Sequence, residues 1–385
     1  MLRLVGYIAQ TLLILLVVYN AVTALWGWPQ PKHAPKGARR RRFRVVVPAH
    51  NEEKVVAGLV ADLARQDYPA ELVEVWVLAD RCTDGTATVA RAAGVEVAER
   101  SDGPPGKGAA LGWYLSQHPL DANETLVVFD ADNRIPAGTL GRIADELDAG
   151  AQVLQCYLDV TNPDRSSLAE AAALSYWASN RMVQLARARL GWSADLGGTG
   201  MAITARALAD GGGFGDSLTE DQELGLRLLL AGHPVGWLHD VRIRDEKPAG
   251  LASTVRQRAR WMAGKRSVRR AYLGRLLRQG TPAAWDMAVR LVQPGRTFVA
   301  LLSGVLTVVA AVTGSSWLIG WEVWGVLTAI QVLEPIPFLA RDGVEPRRLV
   351  RYPLLVLLAA LWIPIRIVSS RVSGWYHTPH EGTTP

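Results

Sequence analysis

The run FRVVVPAHNEE, from Phe43 to Glu53, decides the fold. Its first half is β-rich and apolar, the composition of a strand buried on both faces, and it breaks at Pro48 into the polar loop Pro48-Ala49-His50-Asn51-Glu52. The same grammar repeats downstream: EVWVLAD from Glu74, GVEVAE from Gly94 and ETLVVFD from Glu124 read as further strands. Between them Glu52–Gln66, Thr86–Ala93 and Lys107–Gln117 read as helices. Short strands alternating with helices predict an α/β domain built on a parallel, Rossmann-like sheet with right-handed crossovers. Ligands of such sheets sit beyond the carboxyl ends of the strands. The polar signals stand there: the loop at Pro48, then Asp80-Arg81-Cys82-Thr83-Asp84, then Asp130-Ala131-Asp132-Asn133.

This domain is expected over residues 43–285, and what flanks it differs in kind. The 385 residues are 49% hydrophobic and only 20% charged, and the apolar residues gather at the two ends. Disordered, collagen-like and disulfide-scaffold classes are excluded, because two cysteines, Cys82 and Cys156, make no framework and no zinc spacing. They read as thiols in a reducing compartment.

From Leu4 to about Trp26 no charge interrupts the chain, enough to span the hydrocarbon of a bilayer. A cleaved signal peptide is the competing reading, with Val22 and Ala24 as a small-residue site. The stretch is long for that, and Lys36, Arg39, Arg40, Arg41, Arg42 and Arg44 follow it. Such a cluster stays cytoplasmic, so residues 1–28 are expected to be a retained anchor with its N-terminus outside. Residues 286–372 are expected to hold an interfacial helix and further spans. Thr297–Trp321 is a strong one, Glu322–Ala340 a weaker one, and Tyr352–Ile365 is short for a crossing unless Arg366 snorkels. Residues 373–385 form a tail, and no regulatory domain is expected after Trp375. The net charge of +6 invites a nucleic-acid partner, but the cations fall in two collars beside membrane segments. One is Lys36 to Arg44, and the other is Arg256 to Arg278, with no acid between Lys247 and Trp285. Anionic lipid is the expected partner of both, and nucleic acid is not.

Three clusters carry candidate chemistry. Asp130 and Asp132 could converge past a strand end on one Mg2+ or Mn2+ bridging a diphosphate, although Asp and Asn are also ordinary turn residues. In Leu218-Thr219-Glu220-Asp221-Gln222, Thr219 and Gln222 predict a capping box opening a helix that runs to Gly232. First-turn acids serve the helix dipole, and the same dipole would help keep Asp221 ionised for general-base work. In Gln257-Arg258-Ala259-Arg260-Trp261, an Arg to clamp phosphate, a Trp to stack on a sugar and a Gln for hydroxyls share a helix face. A basic helix on the lipid surface fits the same residues.

The motifs VVVPAHNEE, LADRCTDGT, GKGAAL, DAD, GGTGMA, TED and QxxRW occur in that order, and together the chain resembles the membrane-embedded family 2 glycosyltransferases. These include polysaccharide synthases and ceramide glucosyltransferases. The resemblance covers nearly the whole chain and implies a GT-A fold on the cytosolic side of a bacterial-type inner or plasma membrane. It implies that Pro48, Ala49, Asn51, Glu52 and Asp80 hold uridine and that Lys107 contacts the donor. Asp130, Ala131 and Asp132 are implied to meet the diphosphate and metal. Asp221, with Glu220 beside it, is implied as the catalytic base. Gln257, Arg260 and Trp261 are implied to close on the pyrophosphate and acceptor, and Gly198, Thr199 and Gly200 to line the acceptor end within Gly197–Met201. Gly198 stands where cellulose synthases carry cysteine, which disfavours that activity.

The expected function is therefore inverting, metal-dependent transfer of a sugar from a UDP-sugar to a polysaccharide or lipid hydroxyl, with Mg2+ or Mn2+ as cofactor. Three versions compete: processive synthesis with export, where an oligomer could complete the channel; a single transfer to a membrane lipid; and an inactive nucleotide-binding scaffold. His50 is expected to order its loop, Asp84 to begin the next helix, and no role is assigned to the tail from Trp375 to His380.

Overall fold

The computed structural model describes residues 2–247, 250–355 and 362–369. The tail and part of the Tyr352–Ile365 segment lie outside them. The central element is a seven-stranded sheet of β1 (Arg42–Ala49), β2 (Val73–Asp80), β3 (Glu96–Arg100), β4 (Glu124–Val128), β5 (Val153–Val160), β6 (Met201–Thr204) and β7 (Gly236–Asp245). Their order is β3-β2-β1-β4-β6-β5-β7. β1, β2, β3 and β4 are mutually parallel, with Val45 opposite Val75 and Val127, so their carboxyl ends stand at one edge.

The expectation of an all-parallel sheet needs correction, because β6 runs antiparallel to β4 and β5. The chain enters β6 from the carboxyl end of β4, where the Gly200 amide donates to the Val128 carbonyl at 2.8 Å, and can only run back the other way. Two predicted boundaries also move. Residues 52–55 form a turn, with the Glu52 amide donating to Thr86 Oγ1 at 2.8 Å, so the first helix after β1 spans Val56–Ala64. β3 starts at Glu96 because Gly94, with φ of 84°, closes the preceding helix.

Strand alternation sorts the core. Val45 and Val47 point into one layer with Leu59, Leu63, Ile143 and Leu147, from helices Val56–Ala64 and Thr139–Asp148. Val46 points into the other with Leu111, Tyr114, Leu224 and Leu228, from helices Lys107–Gln117 and Glu220–Leu230. The sheet is thus covered on both faces, which is why its central strands carry unbroken valine runs.

Among the described residues three helices are long and apolar enough to cross a membrane: Arg3–Gly27, Arg296–Thr313 and Trp321–Arg341. The expected span Thr297–Trp321 is shorter than its composition allowed, because Gly314 ends the helix in a left-handed conformation with φ of 55°. The loop that follows is tied back to the N-terminal helix: Gln10 donates to the Trp317 carbonyl (3.0 Å) and accepts from the Ile319 amide (2.9 Å). The expected lipid collar at Lys36 to Arg44 is also redrawn. Arg39, Arg41 and Arg44 pair with Asp67, Asp148 and Glu124, so half of that cluster fastens the lead into β1 to the α/β domain. The second basic stretch is one helix, Leu251–Gln279, and the boundary expected at residue 285 falls within the next helix, Pro282–Val292.

Candidate active site

Beyond the carboxyl edge of the parallel strands lies a cleft of about 250 Å³. β1 delivers Pro48 and Ala49 to its rim, β2 delivers Asp80, and the loop after β4 delivers Asp130, Ala131 and Asp132. Lys107 opens one helix and Glu220 and Asp221 open another, while Gln257, Arg260 and Trp261 enter from the long basic helix. Glu52, Gly198 and Thr199 complete the set. All seven motifs, far apart in the chain, therefore meet in one hollow.

Two expected residues do not line it. Asn51 sits at φ of 58° and its Oδ1 accepts from the Thr83 amide at 2.7 Å, so it braces the first loop against the second. Gly200, at φ of 62°, is spent on the turn that starts β6. His50 lines the cleft and also orders its loop, Nδ1 lying 2.7 Å from the Asp80 carbonyl. Asp84 accepts from the Thr86 amide (3.0 Å) at the start of the next helix, as expected.

The capping box is not formed. The Thr219 side chain lies against Gly264 of the long helix and its hydroxyl finds no partner among the described residues. Asp221 instead turns back on its own helix, its Oδ1 accepting from the Gln222 amide at 2.7 Å. Close approach of the two cleft helices depends on Gly108, where a Cβ would stand 2.1 Å from the Gly215 carbonyl oxygen and 2.6 Å from Glu220 Cβ.

Lys107 is the hub of the charges. Its Nζ donates to Asp130 Oδ1 and to the Gly198 carbonyl (2.6 Å). Burial alone would lower its pKa, but Asp130, Glu220 and Asp221 outweigh this and raise it. Burial raises Glu220 to about 7, helped by the charge of Asp221 and opposed by Lys107. Asp221 is also raised by burial, against the Gln222 amide, Lys107 and Arg260. Arg260 is held over them by donating to the Leu218 carbonyl at 3.1 Å.

The loop at Asp130 is rigid for a traceable reason. Its amide donates to Asn133 Oδ1 (3.0 Å) and to Thr199 Oγ1 (2.9 Å), and Thr199 Oγ1 in turn donates to Asn133 Oδ1. Gln155 on β5 holds the other side, donating to the Thr199 carbonyl at 2.7 Å and accepting from the Gly197 amide at 2.8 Å. Gln155 carries no signal in the sequence, and Asn133 stands there only as the last residue of the polar run after β4.

Asp245, Glu246, Lys247 and Tyr176 also line the cleft and were missed. Lys247 Nζ lies 2.6 Å from Asp245 Oδ2 and 3.9 Å from the Tyr176 ring centroid. Burial raises Asp245 to about 6, with Lys247 opposing and Asp132 reinforcing the rise, and its Oδ1 is buried without a hydrogen-bond partner among the described residues. The readable signal was an acid at a strand end, the same signal that exposed Asp130. β7 was not recognised as a strand, so the signal was lost.

Among the described residues no three His, Cys, Asp or Glu side chains form a cage for a metal. The set of Asp130, Asp132 and nearby Asp245 suits the other mode of Mg2+ or Mn2+ binding, in which one or two carboxylates share the ion with substrate phosphates. The orphaned Asp245 oxygen beside two further carboxylates is the observation that fits a cation there.

The sequence matches the family model described as "Glycosyltransferase like family 2" over residues 40–264, more than half the chain. Among similar proteins are a "Beta-monoglucosyldiacylglycerol synthase" from a Nostoc species, 25% identical over 88% of this chain and 76% of its own length. One of the same name from Synechocystis is 30% identical over 57% of this chain, which spans 47% of that protein. The fold is similar to that of a mannosyltransferase from Pyrobaculum calidifontis solved with GDP-Man and Mn2+, with a TM-score of 0.61 at 19% identity, covering 94% of this chain and 99% of the other.

Proposed function

The chain belongs to the glycosyltransferase-like family 2, and on that premise we propose that it moves one sugar from a nucleotide-sugar, a UDP-sugar in our reading, to a hydroxyl of a membrane lipid. The observation carrying the lipid acceptor is the wall of the cleft. Helix Ser167–Ser179 presents Tyr176 to the cleft and buries Leu174 and Ala178 in a cluster with Ala24, Phe338 and Leu339. Ala24, Phe338 and Leu339 belong to helices able to cross a membrane. One helix is therefore both cleft wall and membrane contact, so an acceptor held in the lipid phase has a short route to Asp221. The relatives named for glucosyldiacylglycerol synthesis support the same class.

A polymer-exporting bundle is disfavoured by how the three apolar helices pack. Their polar side chains bond to one another: Gln331 to Ser303 at 3.0 Å, Thr307 to Thr328 at 3.4 Å, and Asn20 to Gln293 beside the bundle at 3.0 Å. The cavity among Asn20, Gln293, Arg296, Gln331 and Glu334 is about 10 Å³, room for about one water and not for a sugar chain.

The chemistry follows from the charges. A divalent cation held by Asp130 and Asp132 would neutralise the departing diphosphate. Arg260 and Lys107 add fixed positive charge on the same side. Pro48, Ala49, Glu52 and Asp80 bound the recess for the nucleobase, with Asp80 held by Arg100 at 2.8 Å. Asp221 takes the proton from the acceptor hydroxyl as its oxygen bonds to the anomeric carbon opposite the leaving diphosphate. A single displacement inverts that carbon, which turns an α-linked donor into a β-glycoside. The catalytic domain faces the cytosol in this reading, in keeping with the free thiols of Cys82 and Cys156. The test is nucleotide release by the full chain in lipid nanodiscs with Mn2+, across a panel of nucleotide-sugars, with diacylglycerol, ceramide or a soluble oligosaccharide as acceptor. Release stimulated by a lipid alcohol supports the reading, and release stimulated only by the oligosaccharide overturns it.

A further inference from the structure

Helix Leu251–Gln279 does two things at its two ends. Its first half carries Gln257, Arg260 and Trp261 into the cleft. Its second half buries Val268, Tyr272 and Leu276 against Leu226 and Leu229 of the helix that starts at Glu220, and against Ala284, Met287 and Leu291 of helix Pro282–Val292. The opposite side of that second half is exposed: Ser267, Arg270, Ala271, Gly274, Arg275, Leu277 and Arg278, the spacing of one helix face. No carboxylate pairs with Arg270, Arg275 or Arg278 among the described residues.

The neighbouring helix has a matching outer side. Trp285 is 51% exposed and Val292 50%, and Val289 lies between them on the same stripe. The membrane-crossing helix begins at Arg296, within one turn of Val292. A tryptophan and valine stripe leading directly into a span, beside arginines with no carboxylate partner among the described residues, is the composition of a surface lying in the headgroup layer. Arg275 also lies over the Tyr272 ring, 5.3 Å from its centroid.

We propose that an anionic lipid leaflet is the partner of this surface, and that docking there sets Arg260 and Trp261 in the cleft, so that transfer depends on the charge of the bilayer. The proposal rests on the reading of the chain as a membrane glycosyltransferase. The coupling is mechanical. From Arg260 to Arg275 is about 22 Å of uninterrupted helix at ~1.5 Å per residue, too short to bend appreciably without a proline or inserted turn. Between those residues there is neither, so tilt imposed at the arginines reaches the cleft.

The test uses the full chain in nanodiscs of phosphatidylcholine alone or mixed with phosphatidylglycerol. Two readouts are taken: transfer rate, and quenching of Trp285 by brominated lipid, isolated as the difference between wild type and Trp285→Phe. Adding phosphatidylglycerol is expected to deepen Trp285 quenching and to raise the rate by on the order of ten-fold. Both gains should vanish in the triple variant R270Q/R275Q/R278Q, which keeps its rate in phosphatidylcholine, and should shrink for wild type in high salt. Quenching and rate indifferent to lipid charge and to salt would overturn the proposal. A charge-dependent quenching with no sugar transfer in any lipid would uphold the docking surface and sink the catalytic reading instead. The salt titration needs no variant, so a misfolded triple mutant does not leave the question open.

Discussion

Glu220 and Asp221 stand together at the start of one helix, and burial raises the pKa of both. A base must be deprotonated to work, so the transfer rate is expected to climb with pH through a value above the ordinary carboxylate range. Asp221→Asn should lower kcat by about 10²–10⁴ while nucleotide-sugar binding survives, a split measured by single-turnover rates against titration calorimetry. The stability consequence has a fixed sign. Glu220 binds its proton more tightly folded than unfolded, so its ionisation costs stability as pH rises from 4.5 to about 7. Glu220→Gln should therefore melt higher than wild type above that window, with the gap closing below it. Gly108→Ala would drive a methyl into the Gly215 carbonyl and part the two cleft helices, and a large loss of rate with folding retained is expected. At this scale the sequence was informative where a polar cluster followed a valine-rich strand. Fifteen of the expected residues line the cleft, seven of them after such strands. The other eight, Lys107, Gly198, Thr199, Glu220, Asp221, Gln257, Arg260 and Trp261, were legible through the family motifs. Asn51 and Gly200 belong to the same motifs but serve loop geometry, and motif membership alone cannot separate the two uses. Asp245 and Lys247 stayed hidden because β7 lacks the continuous apolar run of β1 and β4, interleaving Val241 and Ile243 with Arg242 and Arg244, and its pairing with β5 slips at Cys156 and Tyr157.

Elements explain how the cleft is fixed to the helices below it. The chain passes through a π-helical turn, Asn180–Leu185, where Arg181 is 1% exposed. Its guanidinium donates to the Gly27 carbonyl at 2.8 Å and to Asp342 Oδ1 at 2.6 Å, and His239 on β7 reaches the same Asp342 oxygen at 3.0 Å. The end of the first apolar helix, the catalytic sheet and the loop after the third are thus joined at one buried charge. Arg181→Met should cost ~3–5 kcal/mol, because Asp342 keeps its burial and loses the buried guanidinium paired with it. The double variant Arg181→Met with Asp342→Asn should lose less than the sum of the singles, measured by thermal unfolding in lipid. None of this junction was legible in the sequence: a π-turn has no periodic signature, and an arginine between apolar residues reads as surface. The first four strands were legible, since each is a short apolar run closed by a turn. Strand β6 was not, because four residues give no period, and with it went the reversal in the sheet.

At the scale of the molecule, a glycosyltransferase domain is built onto three helices suited to a membrane, with the cleft wall shared between them. Removing divalent cation should abolish transfer and restoring Mn2+ or Mg2+ should return it. Asp130→Asn and Asp132→Asn should each raise the cation concentration needed for half-maximal rate. The first of the two expected basic collars is thinned, since Arg39, Arg41 and Arg44 are held in ion pairs to their own domain while Lys36, Arg40 and Arg42 stay exposed. Composition counts charges but does not see their partners, and only the fold separates a clamp from a lipid contact. The most direct test of the central claim is the mass and anomeric configuration of the product formed by the full chain in nanodiscs supplied with a UDP-hexose, Mn2+ and diacylglycerol. The account predicts a lipid heavier by one hexose, β-linked, with no higher series. A ladder of polymer masses with unmodified lipid, or an α-linked product, would contradict it.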